Sequence, residues 1–214
     1  MGLSRRPPNI DFDSIHSLAA SDAHMTTEPY TLEKLVWTEA DFEHMGWHDV
    51  HIHAVAFRAV IFEFWLDVDY IFSWVHPKGD ETYFHFWVAP ATLVFTNVHS
   101  PRFDIDSHNG DLSLQGVERS EPSRPRNANY IPKQTEWLWR LDCSEGEVTF
   151  RSGGYSQFTR RPPVLLQAQQ LTLEERGGIS LRDNGFRRAG HSGAPDRGVP
   201  EVADQMDSAT ISLL

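Results

Sequence analysis

Between positions 62 and 75 the chain alternates strictly: Phe62, Phe64, Leu66, Val68, Tyr70, Phe72 and Trp74 take the even positions, and Glu63, Asp67, Asp69 and Ser73 fall on odd ones. Side chains of a strand point alternately to its two faces, so this period of two predicts a long strand with one buried face and one acidic face. A Pro77-Lys78-Gly79-Asp80 turn follows, and Phe84, Phe86 and Val88 then repeat the even-position pattern, which predicts a hairpin. Pro90 is expected to break or bulge the second strand before Leu93 and Phe95.

Two further dipeptides set registers. Asn109-Gly110 suits a two-residue turn with positive φ at both positions, and it would place Ile105 opposite Leu114 and Asp104 opposite Gln115. Glu145-Gly146 would likewise join strands 136–143 and 147–152, with Cys143 opposite Val148 and Leu141 opposite Phe150, and residues 155–160 are expected as a third member after Gly153-Gly154. Thr38 with Asp41, and Thr172 with Glu175, have the spacing of capping boxes for two short helices. Many short strands, tight turns and little helix give a mostly β fold, an antiparallel β-sandwich or half-open barrel with one or two short helices.

Composition narrows the setting. Residues 1–24 and 182–214 lack periodicity and read as disordered tails around a single β domain over 25–181, with Met25 a candidate natural start. Acidic residues interrupt the most apolar run, so no membrane-spanning helix is expected. The absence of an apolar stretch after the first arginines, together with a lone cysteine, points to the cytoplasm. A net charge of −11 disfavours nucleic acid as a partner. The charge is also uneven: residues 39–111 hold twelve Asp or Glu against three basic residues, a net of −9, while residues 112–181 hold eight against nine, a net of +1.

Two clusters are candidates for chemistry or binding. Glu63, Asp67 and Asp69 would share one strand face, with Asp104 and Asp106 on a neighbouring strand, forming an acidic surface fit to dock a basic protein. Asp49, His51 and His53 would point to one side of a strand, a donor set suited to zinc or iron and hence to a small metalloprotein or metal-dependent enzyme. Cys143 is expected on an apolar face with Trp137 and Trp139, an inert core thiol. Lys133, Arg140, Arg151, Arg160 and Arg161 are scattered, as on a solvated surface.

Trp47-His48-Asp49 opening a strand, the long apolar strand from Phe62 to Trp74, and the stretch Leu93-Val94-Phe95-Thr96-Asn97-Val98 together resemble small uncharacterised bacterial β proteins, some of them grouped with immunity proteins of toxin systems. The resemblance covers about 50 residues of the domain. It implies a non-enzymatic binder that needs no cofactor and occludes a partner, such as a nuclease with a basic cleft, using the acidic half as the inhibitory face. A third reading, a carrier of apolar ligands, depends on whether the strands curl into a half-open barrel, which local patterns do not reveal. Nor do they reveal the oligomeric state.

Overall fold

The computed structural model describes residues 29–181 and 210–212. In chain order the strands are β1 (Val36–Thr38), β2 (Val50–Arg58), β3 (Glu63–Val75), β4 (His85–Thr96), β5 (His99–Ile105), β6 (Ser113–Ser123), β7 (Glu136–Cys143), β8 (Gly146–Ser152), β9 (Gly154–Thr159) and β10 (Val164–Leu166). The four-residue helix α1 (Leu173–Arg176) and strand β11 (Thr210–Ser212) complete the order, and 3₁₀ turns cover Glu39–His44 and Ala59–Ile61. The expected tails 1–24 and 182–214 lie outside the described residues, apart from the three residues of β11.

The strands form one antiparallel sheet in the order β1-β9-β4-β3-β2-β6-β7-β8-β5, with β10 beside β4 and β11 beside β2. The sheet folds back on itself. Only Val50↔Leu114 and His51↔Ser113 join β2 to β6, and on the opposite side the chain passes from β8 to β9 through Gly153, whose N–H donates to Thr96 O at 3.1 Å. The half built from β2, β3, β4 and β9 thereby faces the half built from β5, β6, β7 and β8. Phe95 meets Trp139 and Phe150 across the interior, with ring centroids 5.3 and 4.7 Å apart, and Phe64 meets Phe150 at 5.3 Å. The two ends of the path, β1 and β5, do not pair, so the barrel is half open.

The long strand forms over Glu63–Val75, and Phe64, Leu66, Val68 and Tyr70 enter the main core, whereas Phe62, expected to start its buried face, has φ +56° and is exposed. A register shift between Ile71 and Ser73 ends the simple alternation, and Trp74 is exposed. The turn before β4 also forms, with Val75 opposite His85. Pro90, by contrast, neither breaks nor bulges β4. It lies between the residues that pair with β9 (Ala91 to Thr96) and those that pair with β10 (Phe86 to Val88), a gap between ladders where its missing N–H costs no hydrogen bond.

Two expected registers are corrected. The segments flanking Asn109-Gly110 do not pair with each other: β5 pairs with β8, and β6 with β7 and β2. Ser107 Oγ donates to Asp111 O at 2.7 Å and Asn109 Nδ2 to Asp111 Oδ2 at 2.8 Å, so side chains close a wider loop in place of a two-residue turn. The β7–β8 hairpin does form, but its turn is Ser144-Glu145, with Cys143 opposite Gly146 and Leu141 opposite Val148. Gly146 therefore belongs to a strand. Its φ is +136°, and a Cβ there would collide with the Asp104 carbonyl of β5, so only glycine lets β5 approach. β9 is likewise a strand as expected, but it crosses to pair with β4 and β1 instead of extending the hairpin.

Both capping boxes are present. Thr38 and Asp41 open the 3₁₀ turn, and Thr172 Oγ1 accepts from the Glu175 N–H at 3.2 Å at the start of α1.

Candidate functional site

β3 is buried on both faces, because the chain after β10, including α1, lies over the outer side of the sheet. Ile71, Phe86 and Val88 pack there against Leu171 and Leu166, while Trp65, Val94 and Ala56 pack against Phe158 and Leu181. Asp67 and Asp69 project into this layer and are both 0% exposed. The expected acidic docking face is corrected accordingly: these two carboxylates lie inside the fold.

Arg176 explains why burial is tolerated. It is 1% exposed; its Nη2 donates to Asp67 Oδ1 at 2.7 Å, its Nη1 to Asp67 Oδ2 at 2.9 Å, and its Nε to Asp69 Oδ1 at 3.1 Å. Arg160 also donates to Asp67 Oδ1, so two acids meet two guanidinium groups. The Ser180 N–H donates to Asp67 Oδ2 at 2.7 Å, the Leu171 N–H to Asp69 Oδ2 at 2.8 Å, and His53 Nε2 lies 2.8 Å from that same Asp69 oxygen. Buried charges persist only when paired and hydrogen-bonded, and here every partner but His53 of β2 comes from residues 160–181. The cluster latches residues 160–181 onto β3. Arg160, expected on a solvated surface, is part of this latch.

Burial alone would raise the Asp69 pKa, but the His53 hydrogen bond, the Arg176 charge and the Leu171 amide outweigh it and hold the carboxyl below its ordinary value. An acid whose folded pKa is depressed contributes stability that is complete above its unfolded pKa and lost as pH falls through the folded one. The urea midpoint should therefore be level above about pH 5 and fall below about pH 4. Asp69→Asn should flatten that fall, and an unchanged acid limb in denaturation series between pH 3 and 6 would contradict the assignment.

The other acids of the expected face do not converge. Glu63 is half-buried, accepts from Trp65 Nε1 at 2.7 Å and lies 3.9 Å from Arg58. Asp104 and Asp106 are exposed, but β5 pairs with β8 and is not a neighbour of β3.

His51 and His53 come together, with ring centroids 4.5 Å apart, but Asp49 does not join them. Asp49 has φ +60° in the turn before β2, so strand alternation does not reach it, and its carboxylate accepts from Gln169 Nε2 at 2.8 Å. Burial, followed by the neighbouring His53, pushes the His51 pKa down. Among the described residues no group of three or more His, Cys, Asp or Glu side chains is placed to hold a metal ion.

The interior contains the other notable feature, a cavity of about 330 Å³. Ile52, Val55, Ala56 and Phe57 of β2 form one wall with Phe64 and Leu66 of β3. Phe103 and Ile105 of β5 face them, and Leu141, Cys143 and Val148 line the side toward β7 and β8. Phe57 and Phe103 meet edge to face at 5.5 Å, although β2 and β5 share no ladder. Phe103 is 48% exposed, which places it at the rim. Cys143, in the core as expected, has its thiol pushed up to about 12 by burial and then by Glu145, so it stays neutral.

The latch arginine and the cavity escape sequence reasoning. Arg176 stands 107 positions from Asp69, and its only local signal is its place at the end of a capped helix. Comparison of the chain with protein-family models, curated proteins and solved structures returned no match.

Proposed function

We propose that the protein binds an apolar small molecule, or the apolar portion of one, in the cavity between β2 and β5. The observation that carries this reading is an interior space of about 330 Å³ lined by apolar side chains and the neutral Cys143 thiol. Protein interiors pack as densely as organic crystals, and voids larger than a water molecule are few. An apolar cavity accepts hydrocarbon or aromatic guests, which regain the dispersion contacts that the lining lacks. The volume lies at the lower end of the range of small-molecule sites. The lining has no charged side chain, and its one thiol, Cys143, already donates to the Leu141 carbonyl at 3.8 Å, so recognition is by shape and hydrophobicity and any polar group of the ligand stays at the rim near Phe103.

Capture of a basic protein would have to use the exposed Asp104 and Asp106 without Asp67 and Asp69, whose carboxylates are engaged by Arg160 and Arg176.

The test is titration with the neutral fluorophore N-phenyl-1-naphthylamine, which brightens in apolar surroundings. Saturable binding is expected, and Val148→Trp, which fills the space, should weaken it by about tenfold or more, a difference of roughly 1.4 kcal/mol per decade. Cys143→Phe should act the same way, with circular dichroism unchanged in both variants. No saturable signal from the natural chain, or equal affinity in both filled variants, would overturn the proposal.

A further inference from the structure

The edge of β2 that faces away from β3 has two successive occupants. At Val50 and His51 it pairs with β6, and the Ile52 N–H donates to Leu112 O at 2.8 Å. The chain then turns away through residues 107–112 into β5, leaving the next stretch of this edge without β6. At Ala54, Val55 and Ala56 the inner edge is taken by Asp67, Leu66 and Trp65 of β3. The outer edge is taken by β11, with Thr210 opposite Ala56, Ile211 opposite Val55 and Ser212 opposite Ala54. β11 pairs with no other strand among the described residues.

We infer that this edge of β2 is a docking edge for an extended segment, that its resident is the chain's own residues 210–212, and that the resident strand closes the cavity on the β2 side. An unpaired edge carrying Ala54, Val55, Ala56 and Phe57 invites pairing with other chains, and covering it with a strand of the same chain removes that liability. Backbone pairing to a free sheet edge is a common mode of peptide docking. The register is what links it to the cavity, since Val55 and Ala56, the partners of Ile211 and Thr210, line it. A ladder of three pairs belongs to the part of a structure that opens most readily, so β11 can leave while the rest of the sheet stays folded. The closing role rests on the cavity reading above; the docking does not.

Hydrogen exchange separates the two. In a variant lacking residues 210–214, backbone amides of peptides covering 53–58 should lose protection, those of β3 and β7 should keep theirs, and a synthetic peptide of residues 207–214 added in excess should restore it. Stopped-flow mixing with N-phenyl-1-naphthylamine should give association about tenfold faster in the shortened chain, because the closed form no longer limits entry. Unchanged exchange at 53–58 would overturn the docking. Lost protection with unchanged association rates would overturn the closing role. Absence of fluorophore binding in both chains would instead overturn the cavity reading, with the exchange result still deciding the docking. A natural chain that is dimeric and becomes monomeric on shortening would assign the strand to a second copy and overturn the intramolecular pairing.

Discussion

Replacing Arg176 with methionine is expected to destabilise the protein by about 3–5 kcal/mol, the range for removing one partner from a buried ion pair. The guanidinium makes hydrogen bonds to both carboxylates that are otherwise cut off from water, and methionine of similar length supplies none. Asp67 would keep Arg160 and the Ser180 N–H, and Asp69 would keep His53 and the Leu171 N–H, so the uncompensated charge falls on the pair as a whole. A drop in the urea midpoint with little change in slope would report this. The combined variant Asp67→Asn, Asp69→Asn, Arg176→Met should recover much of the loss, since a buried charge cluster replaced entirely by neutral groups is often no less stable than the original. A single-variant cost below about 1 kcal/mol would mean that the latch is solvated and does not hold the covering segment as described.

Trp139→Ala should cost a similar amount, about 3–5 kcal/mol, for a different reason. Trp139 is fully buried at the centre of the interior, where its ring meets Phe42, Phe95 and Tyr155 at centroid distances of 5.3 to 5.7 Å. Those partners come from the 3₁₀ turn after β1, from β4 and from β9, so one side chain ties the two halves of the sheet together. Its Nε1 also donates to the Ser152 carbonyl at 3.2 Å, beside the glycines where β8 crosses to β9. Trp139→Phe keeps most of the volume and should cost less, about 1–2 kcal/mol for the lost hydrogen bond and the residual gap. Thermal or urea denaturation of both variants decides this, and equal costs would show that the hydrogen bond, not the packing, dominates.

The sequence by itself determined the features that need only neighbours along the chain. The alternation over 62–75 marks a strand because the strand period is a property of the backbone, and the boxes Thr38/Asp41 and Thr172/Glu175 cap their helical turns because each is closed within four residues. Cys143 was placed in the core by the same alternation. Only the tertiary structure decided which strands are neighbours. β5 pairs with β8 although a loop connects it to β6: glycine at 146 admits the Asp104 carbonyl, and the pairing sets Phe103 against Phe57 and Phe64 at the rim, contacts that nothing around Asn109-Gly110 signals. The fate of Asp67 and Asp69 was likewise not local. An acidic residue on an alternating strand reads as solvent-facing until another segment covers it, and the covering segment with its arginine lies about a hundred positions away in sequence. The cavity is less legible still, since an unfilled space is a property of how β2 meets β5 and leaves no mark on either strand alone.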